Sequence, residues 1–178
     1  MHSIDIFVQN YFSLVRTQGL TKFMYLLSNL FDFSILFFLI IICASVIIYK
    51  VRNYRYTFLF ILSLVCGEIL VFFLKYLFNI GRPIDAVIHI TGPSFPSGHA
   101  TIATIFFVML MYIFDSHFKT LGRIIFNSIC IVMIFLVAFS RVYLSVHWTS
   151  DVVFGILLGV VISYLSIIIF KKVTNMVK

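Results

Sequence analysis

Four stretches of this chain, residues 33–49, 96–114, 124–140 and 152–170, run without an acidic or basic side chain. Each approaches the roughly 20 apolar residues that a helix needs to cross the hydrocarbon core of a bilayer. A fifth, residues 56–74, carries a single charge, Glu68. In lipid such runs can satisfy their own backbone hydrogen bonds as helices, so they decide the fold class. A soluble fold could not hide the surplus. Of the 178 residues 62% are hydrophobic and 11% charged, against about 45–50% and about 25% in soluble domains. The expectation is an all-α, polytopic membrane bundle forming one domain over residues 1–178, with about five transmembrane helices.

Residues 1–30 read differently. His2, Asp5, Gln9, Asn10 and Arg16 interleave with apolar residues, unlike the basic start and apolar core of a secretory signal, and no cleavage is expected. Ile4, Phe7, Val8, Tyr11, Leu14 and Val15 recur at helical spacing, which predicts an amphipathic helix lying in the membrane interface. The alternative, a sixth span over residues 4–30, would put Arg16 and Lys22 inside the bilayer. Cys43, Cys66 and Cys130 all fall within predicted spans, where cysteine behaves as a small apolar residue, and no disulfide framework is expected. The net charge of +7 is scattered around short loops rather than gathered into a stripe, which sets nucleic acid aside as a partner.

The scattered charge reports topology. With the 171–178 tail cytoplasmic, Lys50, Arg52, Arg55, Lys119, Arg123, Lys171, Lys172 and Lys178 lie inside, eight of the thirteen basic residues, in keeping with the positive-inside rule. Segments 75–97 and 140–150 then share the outer side. Lys75, Arg82 and Arg141 stand where that rule disfavours them. For Lys75 and Arg141, snorkelling from the end of a span is an alternative reading. It weakens once the neighbours on the same side are named: Pro83, Pro96, Ser97, Gly98, His99, His147 and Asp151.

Three segments carry this concentration of polar chemistry. In the first, Lys75 precedes Arg82-Pro83 by seven residues, a spacing that predicts both cations on one side of a helix end stopped by Gly81 and Pro83. Two facing cations make an anion site, the guanidinium as a planar fork and the ammonium as a mobile point charge. The second, Pro96-Ser97-Gly98-His99, directly precedes an apolar run. It predicts a helix N-terminus whose free N–H groups and dipole favour a bound anion. Taken alone, Pro-Ser-Gly is also an ordinary helix start. In the third, Ser140-Arg141 is followed by His147 and Asp151, four residues apart. On a helical turn that carboxylate can reach the imidazole and fix its tautomer. A His with a carboxylate partner also suits a metal, but three cations nearby repel a divalent ion while supplying the charge a phosphate needs. Two histidines, three cations, a helix N-terminus and an orienting carboxylate are the parts for phosphoryl transfer without a metal.

In order and at every defining position, the segments resemble the tripartite signature of the type 2 phosphatidic acid phosphatase and vanadium haloperoxidase superfamily: Lys-x6-Arg-Pro, Pro-Ser-Gly-His, and Ser-Arg-x5-His-x3-Asp. The match covers residues 75–151, and the helices around it suit the small bacterial membrane members. The resemblance implies that His147 is the nucleophile forming a phosphohistidine, that Asp151 orients it, and that His99 protonates the leaving group and later helps activate water. It implies that Lys75, Arg82, Arg141, the Ser97 hydroxyl and the Gly98 N–H hold the phosphate oxygens. The haloperoxidases of the superfamily are larger, soluble and hold vanadate, so neither that branch nor any metal or other cofactor is expected here.

The expected function is therefore a metal-independent lipid phosphatase of a bacterial cytoplasmic membrane, its site facing the periplasm or exterior. Its substrates would be phosphatidic acid, phosphatidylglycerol phosphate, undecaprenyl diphosphate or a lipid A phosphate. A phosphotransferase using the same intermediate and a non-enzymatic phospholipid-binding or transport bundle are the alternatives. No obligate protein partner is evident. Glu68 reads as a structural intramembrane carboxylate, with a functional role as the alternative. Asp85 and His89 read as solvated loop residues, Tyr143 and Trp148 as members of an interfacial aromatic belt, and His117 has no evident role.

Overall fold

The computed structural model describes residues 2–32, 35–88 and 90–176; His89 and Lys178 lie outside the described residues. Among the described residues there are seven helices and no strand: α1 (His2–Val15), α2 (Gln18–Asn29), α3 (Ile35–Val51), α4 (Tyr54–Phe78), α5 (Gly98–Phe114), α6 (Thr120–Tyr143) and α7 (Thr149–Met176).

Each predicted apolar run has most of its length in one of α3 to α7. By length and hydropathy α4, α6 and α7, with 25, 24 and 28 residues, can cross a bilayer. The helices α3 and α5 have 17 residues each, about 25 Å at 1.5 Å per residue, less than the roughly 30 Å of hydrocarbon. Helix α5 packs against α4, α6 and α7 and begins at Gly98, directly after the loop that carries Arg82.

The segment expected to form one amphipathic helix at the N-terminus is two. Thr17 takes an extended backbone and its side chain accepts from the Leu20 N–H, starting α2 afresh. The apolar residues of α1 do form a face, and it points outward: Ile4, Phe7, Tyr11 and Leu14 are exposed, while Asp5 and Gln9 are buried.

The bundle is built around α5. Ala103, Ile105, Met109 and Ile113 are fully buried against Leu59, Phe60 and Leu64 of α4, Val137 of α6 and Ile162 of α7. Two glycines let α7 approach α5 closely. A Cβ at Gly159 would stand 2.6 Å from Thr104 Cβ and 2.8 Å from the Thr101 carbonyl, and one at Gly155 would stand 2.8 Å from the Ser97 carbonyl. The contact sets the two helix N-termini side by side, and the Ser97 N–H donates to the Asp151 carbonyl at 3.2 Å. Outward, Phe58, Phe72, Tyr76, Leu121, Phe135 and Leu157 are exposed. So wide an apolar surface suits lipid as the surrounding solvent.

Lys50, Arg52, Arg55, Lys119, Arg123, Lys171 and Lys172 gather at the end formed by the C-termini of α3, α5 and α7. There Arg52 donates to Ser116 Oγ at 2.6 Å, and Lys171 sits over the Tyr112 ring at 5.5 Å. The sequence motifs meet at the other end.

Candidate active site

Helix α4 delivers Lys75 from its last turn and then stops earlier than the sequence predicts. Asn79, not Gly81 or Pro83, ends it, in a left-handed conformation (φ 43°) with its N–H returned to the Lys75 carbonyl. Asn is one of the few non-glycine residues suited to that region. Arg82 therefore lies in a loop and not on the helix face. Its guanidinium is fixed from three sides, donating to the carbonyls of Val146 at 2.7 Å, Gly92 at 3.0 Å and Pro93 at 3.2 Å. Lys75 Nζ donates to the Pro93 carbonyl at 2.7 Å and meets that of Ser94 at 3.4 Å. Burial lowers the Arg82 pKa from its usual value, and the Asp151 carboxylate opposes this.

The Pro-Ser-Gly-His segment forms the start of α5 as expected. Ser97 is the N-cap, its side chain facing the Ala100 N–H at 3.5 Å, and His99 lies in the first turn. The buried Ser97 hydroxyl accepts that bond and keeps its proton to donate. Arg141 lies in the last turn of α6, buried, with one guanidinium nitrogen bonded to Ser28 Oγ of α2.

His147 sits in the link between α6 and α7 and not on a helical turn of α7. The four-residue spacing still brings its Nδ1 within 3.6 Å of Asp151 Oδ2, which also accepts from the Trp148 N–H at 3.0 Å. Arg82 Nη1 lies 3.4 Å from His147 Nε2. A guanidinium can only donate, so this contact assigns the lone pair to Nε2 and the ring proton to Nδ1, beside the carboxylate.

A cavity of about 400 Å³ joins these pieces. Lys75, Arg82, Gly98, His99, Arg141 and His147 line it, whereas Ser97 and Asp151 do not. Phe31, Phe37, Val71 and Ile102 give it an apolar wall. Two carboxylates also face it. Glu68, read from sequence as structural, lines the cavity, and so does Asp32, which sequence reasoning missed and whose Oδ1 is 3.8 Å from His99 Nε2. Among the described residues no three His, Cys, Asp or Glu side chains come together as metal ligands. Tyr143 is buried, not in an aromatic belt, with its hydroxyl accepting from the Thr17 N–H at 3.2 Å. Trp148 donates to the Gly81 carbonyl at 2.8 Å. Asp85 is exposed, and its carbonyl accepts from Arg16 at 3.4 Å.

His147 is buried, and burial together with the positive charges of Arg141, Arg82 and Lys75 and the neighbouring His99 pushes its pKa well below the usual range. The folded chain thus refuses a proton that the unfolded chain accepts near about 6.5. The stability this contributes is complete above that pH and is lost as pH falls toward the folded value. The thermal midpoint of the detergent-solubilised protein should therefore fall more steeply between about pH 6.5 and 5 for the wild type than for His147→Gln. Parallel curves would show that His147 is not held neutral.

A helical bundle with an apolar outer surface thus holds a cavity lined by three cations and two histidines, one of them paired with Asp151. The model of the PAP2 superfamily matches residues 56–175, well over half of the chain, and the chain belongs to that superfamily. It is 40% identical over 93 residues to an undecaprenyl-diphosphatase of Sulfolobus acidocaldarius, covering 49% of this chain and 41% of that one. It is 35% identical over 81 residues to phosphatidylglycerophosphatase B of Bacillus subtilis, covering 44% and 40%. The chain thus spans less than half the length of these curated relatives. Among solved structures, the transmembrane PAP2-type phosphatidylglycerolphosphate phosphatase of Bacillus subtilis superposes with a TM-score of 0.85 over 99% of this chain and 87% of that one, at 27% identity. Aquifex aeolicus LpxE shares the fold, with a TM-score of 0.75 at 24% identity over 93% and 95%.

Proposed function

We propose that this protein is an integral membrane phosphatase that removes a phosphate group from a lipid phosphomonoester or diphosphate through a phosphohistidine intermediate. The observation that carries the reading is the lone pair of His147 Nε2 in a cavity lined by three cations, with Asp151 behind the ring and His99 on the same cavity. The Nε2 lone pair attacks phosphorus in line with the leaving oxygen. As the P–O bond breaks, that oxygen takes a proton from His99, and the phosphoryl group stays on His147. Neutral His99 then accepts a proton from water, whose oxygen displaces the imidazole and releases inorganic phosphate. Lys75, Arg82, Arg141, the Gly98 N–H and the Ser97 hydroxyl are the donors for the equatorial oxygens, and the α5 dipole adds to them. Lys75 and Arg82 are already held by backbone carbonyls and Arg141 by the Ser28 hydroxyl, so little reorganisation is needed when charge builds in the transition state.

The site and the relatives together support the substrate class. An apolar wall beside the cation cluster suits a phosphate carried on a lipid chain, and the names of the relatives include phosphatidylglycerophosphatase and undecaprenyl-diphosphatase. The site faces the side opposite the cytoplasm in this reading, because Arg52, Arg123 and Lys171 cluster at the other end of the bundle. The test is phosphate release by the purified protein from phosphatidic acid, phosphatidylglycerol phosphate, undecaprenyl diphosphate and lipid A in the presence of EDTA. At least one substrate is turned over at a rate the chelator leaves unchanged. Strong inhibition by EDTA, or no release from any of the four, would overturn the reading.

A further inference from the structure

Helix α1 is turned inside out relative to a helix lying on a water-facing surface. Ile4, Phe7, Tyr11 and Leu14 are 70%, 72%, 54% and 85% exposed, whereas Asp5 and Gln9 are 5% and 6% exposed. The two polar residues are four apart and share one face. A buried carboxylate and a buried amide are expensive unless bonded, so what they bond is informative. Asp5 Oδ1 accepts the Ser150 N–H at 3.0 Å, and its Oδ2 accepts the Ser150 hydroxyl at 2.8 Å. Gln9 Nε2 donates to the carbonyl of His147 at 3.1 Å. The end of the helix continues the pattern: Arg16 Nε donates to the Tyr143 carbonyl at 3.1 Å, and its terminal nitrogen bonds the hydroxyl of Ser145.

Two of the four contacted residues, Ser145 and His147, lie in the link between α6 and α7, and the other two flank it, Tyr143 as the last residue of α6 and Ser150 as the second of α7. That link holds Ser145 in a left-handed backbone conformation (φ 52°), one that a non-glycine residue adopts only when its surroundings impose it. Ser150 stands directly before Asp151, and the Gln9 contact falls on His147 itself. None of Asp5, Gln9 and Arg16 lines the cavity, and none belongs to the three motifs.

We propose that Asp5 and Gln9 are positioning residues for the reaction, clamping the backbone on either side of the His147–Asp151 pair so that Nε2 is aimed at the phosphorus. The proposal rests on His147 as nucleophile. The geometry assigns the N-terminal helix a part in catalysis that acts through main-chain atoms, and its apolar outer face sets that clamp against the bilayer.

The experiment compares wild type with Gln9→Leu, Gln9→Glu, Asp5→Leu and Asp5→Asn in detergent, on whichever lipid the wild type hydrolyses. A misplacement of about 1 Å in a reacting group costs about 100-fold, so Gln9→Leu and Asp5→Leu should lower kcat by about 10- to 100-fold, with KM changed far less. Asp5→Asn keeps an acceptor for the Ser150 N–H and should retain most of kcat. Gln9→Glu can donate to the His147 carbonyl only when protonated, so its activity relative to wild type should rise as pH falls, a signature that a loss of packing alone does not give. Unchanged kcat in both leucine variants, or a Gln9→Glu profile parallel to wild type, would overturn the proposal. Amide exchange across residues 143–150 reads the clamp without turnover. It should quicken in both leucine variants while α5 stays protected; unchanged exchange overturns the clamp whatever the activity does. If His147→Ala remains active while exchange quickens, the clamp stands and the assignment of the nucleophile fails.

Discussion

On the proposed reading, His147→Ala should abolish lipid-phosphate turnover, lowering kcat by about 10⁴-fold or more, as loss of an attacking nucleophile does elsewhere, while the bundle stays folded. The size of the effect follows from the lack of a substitute. His99 sits in the first turn of α5 with Asp32 Oδ1 3.8 Å from its Nε2, without the Asp151 partner and the Arg82 contact that set the tautomer of His147. The remaining cavity still holds Lys75, Arg82 and Arg141, so the variant should bind phosphate or substrate with affinity close to that of the wild type. Survival of the fold is expected because His147 contributes little to the apolar core built around α5, and Asp151 keeps its bond from the Trp148 N–H. Phosphate release, acid-labile labelling of the protein and a thermal midpoint are the three measurements. Activity within tenfold of wild type would remove His147 from the proposed role.

Gly159→Val should be the most damaging substitution among the glycines. The added Cβ would meet the Thr101 carbonyl at 2.8 Å and Thr104 Cβ at 2.6 Å, and one of these is backbone that no rotamer change can move. Overpacking a core costs about 1–3 kcal/mol when neighbours can yield. Here α5 as a whole must shift, and α5 carries Gly98 and His99, so a cost of at least about 3 kcal/mol is expected together with loss of activity. The control is Gly19→Ala in α2, where nothing lies within 4 Å of the new methyl and helix propensity alone favours alanine. A fall of the thermal midpoint, or loss of monodisperse protein, for Gly159→Val but not for Gly19→Ala is the expected pattern. Equal midpoints would mean that the α5–α7 contact is looser than described.

The helices were legible because lipid removes ambiguity: an apolar run near 20 residues has few other solutions. The site was legible because polar residues are so scarce here that those grouped on one side stood out, and the cavity brings together Lys75, Arg82, Gly98, His99, Arg141 and His147. What failed to show was everything that depends on partners distant in sequence. Asp32 reaching His99 and Ser28 meeting Arg141 follow from α2 packing against α6, and no local pattern announces them. Asn79 was available as a helix stop, but Gly81 and Pro83 are the stronger punctuation, and the earlier stop prevailed. In α1 the apolar period marks the exposed face, yet the sequence does not say that its polar side turns inward, because that depends on the Ser150 N–H and hydroxyl and the His147 carbonyl waiting for it.

The apolar wall of the cavity, with Phe31 and Phe37 beside the cations, bears on how this protein would meet the proposed lipid phosphate. A molecule whose tail stays dissolved in the bilayer is not sampled from a volume; it arrives by diffusion in two dimensions, at a frequency set by its mole fraction among the other lipids. Diluting the vesicles in buffer would leave the turnover unchanged, whereas diluting the substrate with inert lipid at constant bulk concentration would slow it. For the proposed lipid phosphatase, the natural unit of the Michaelis constant is therefore a surface fraction, and the composition of the membrane is itself a kinetic variable.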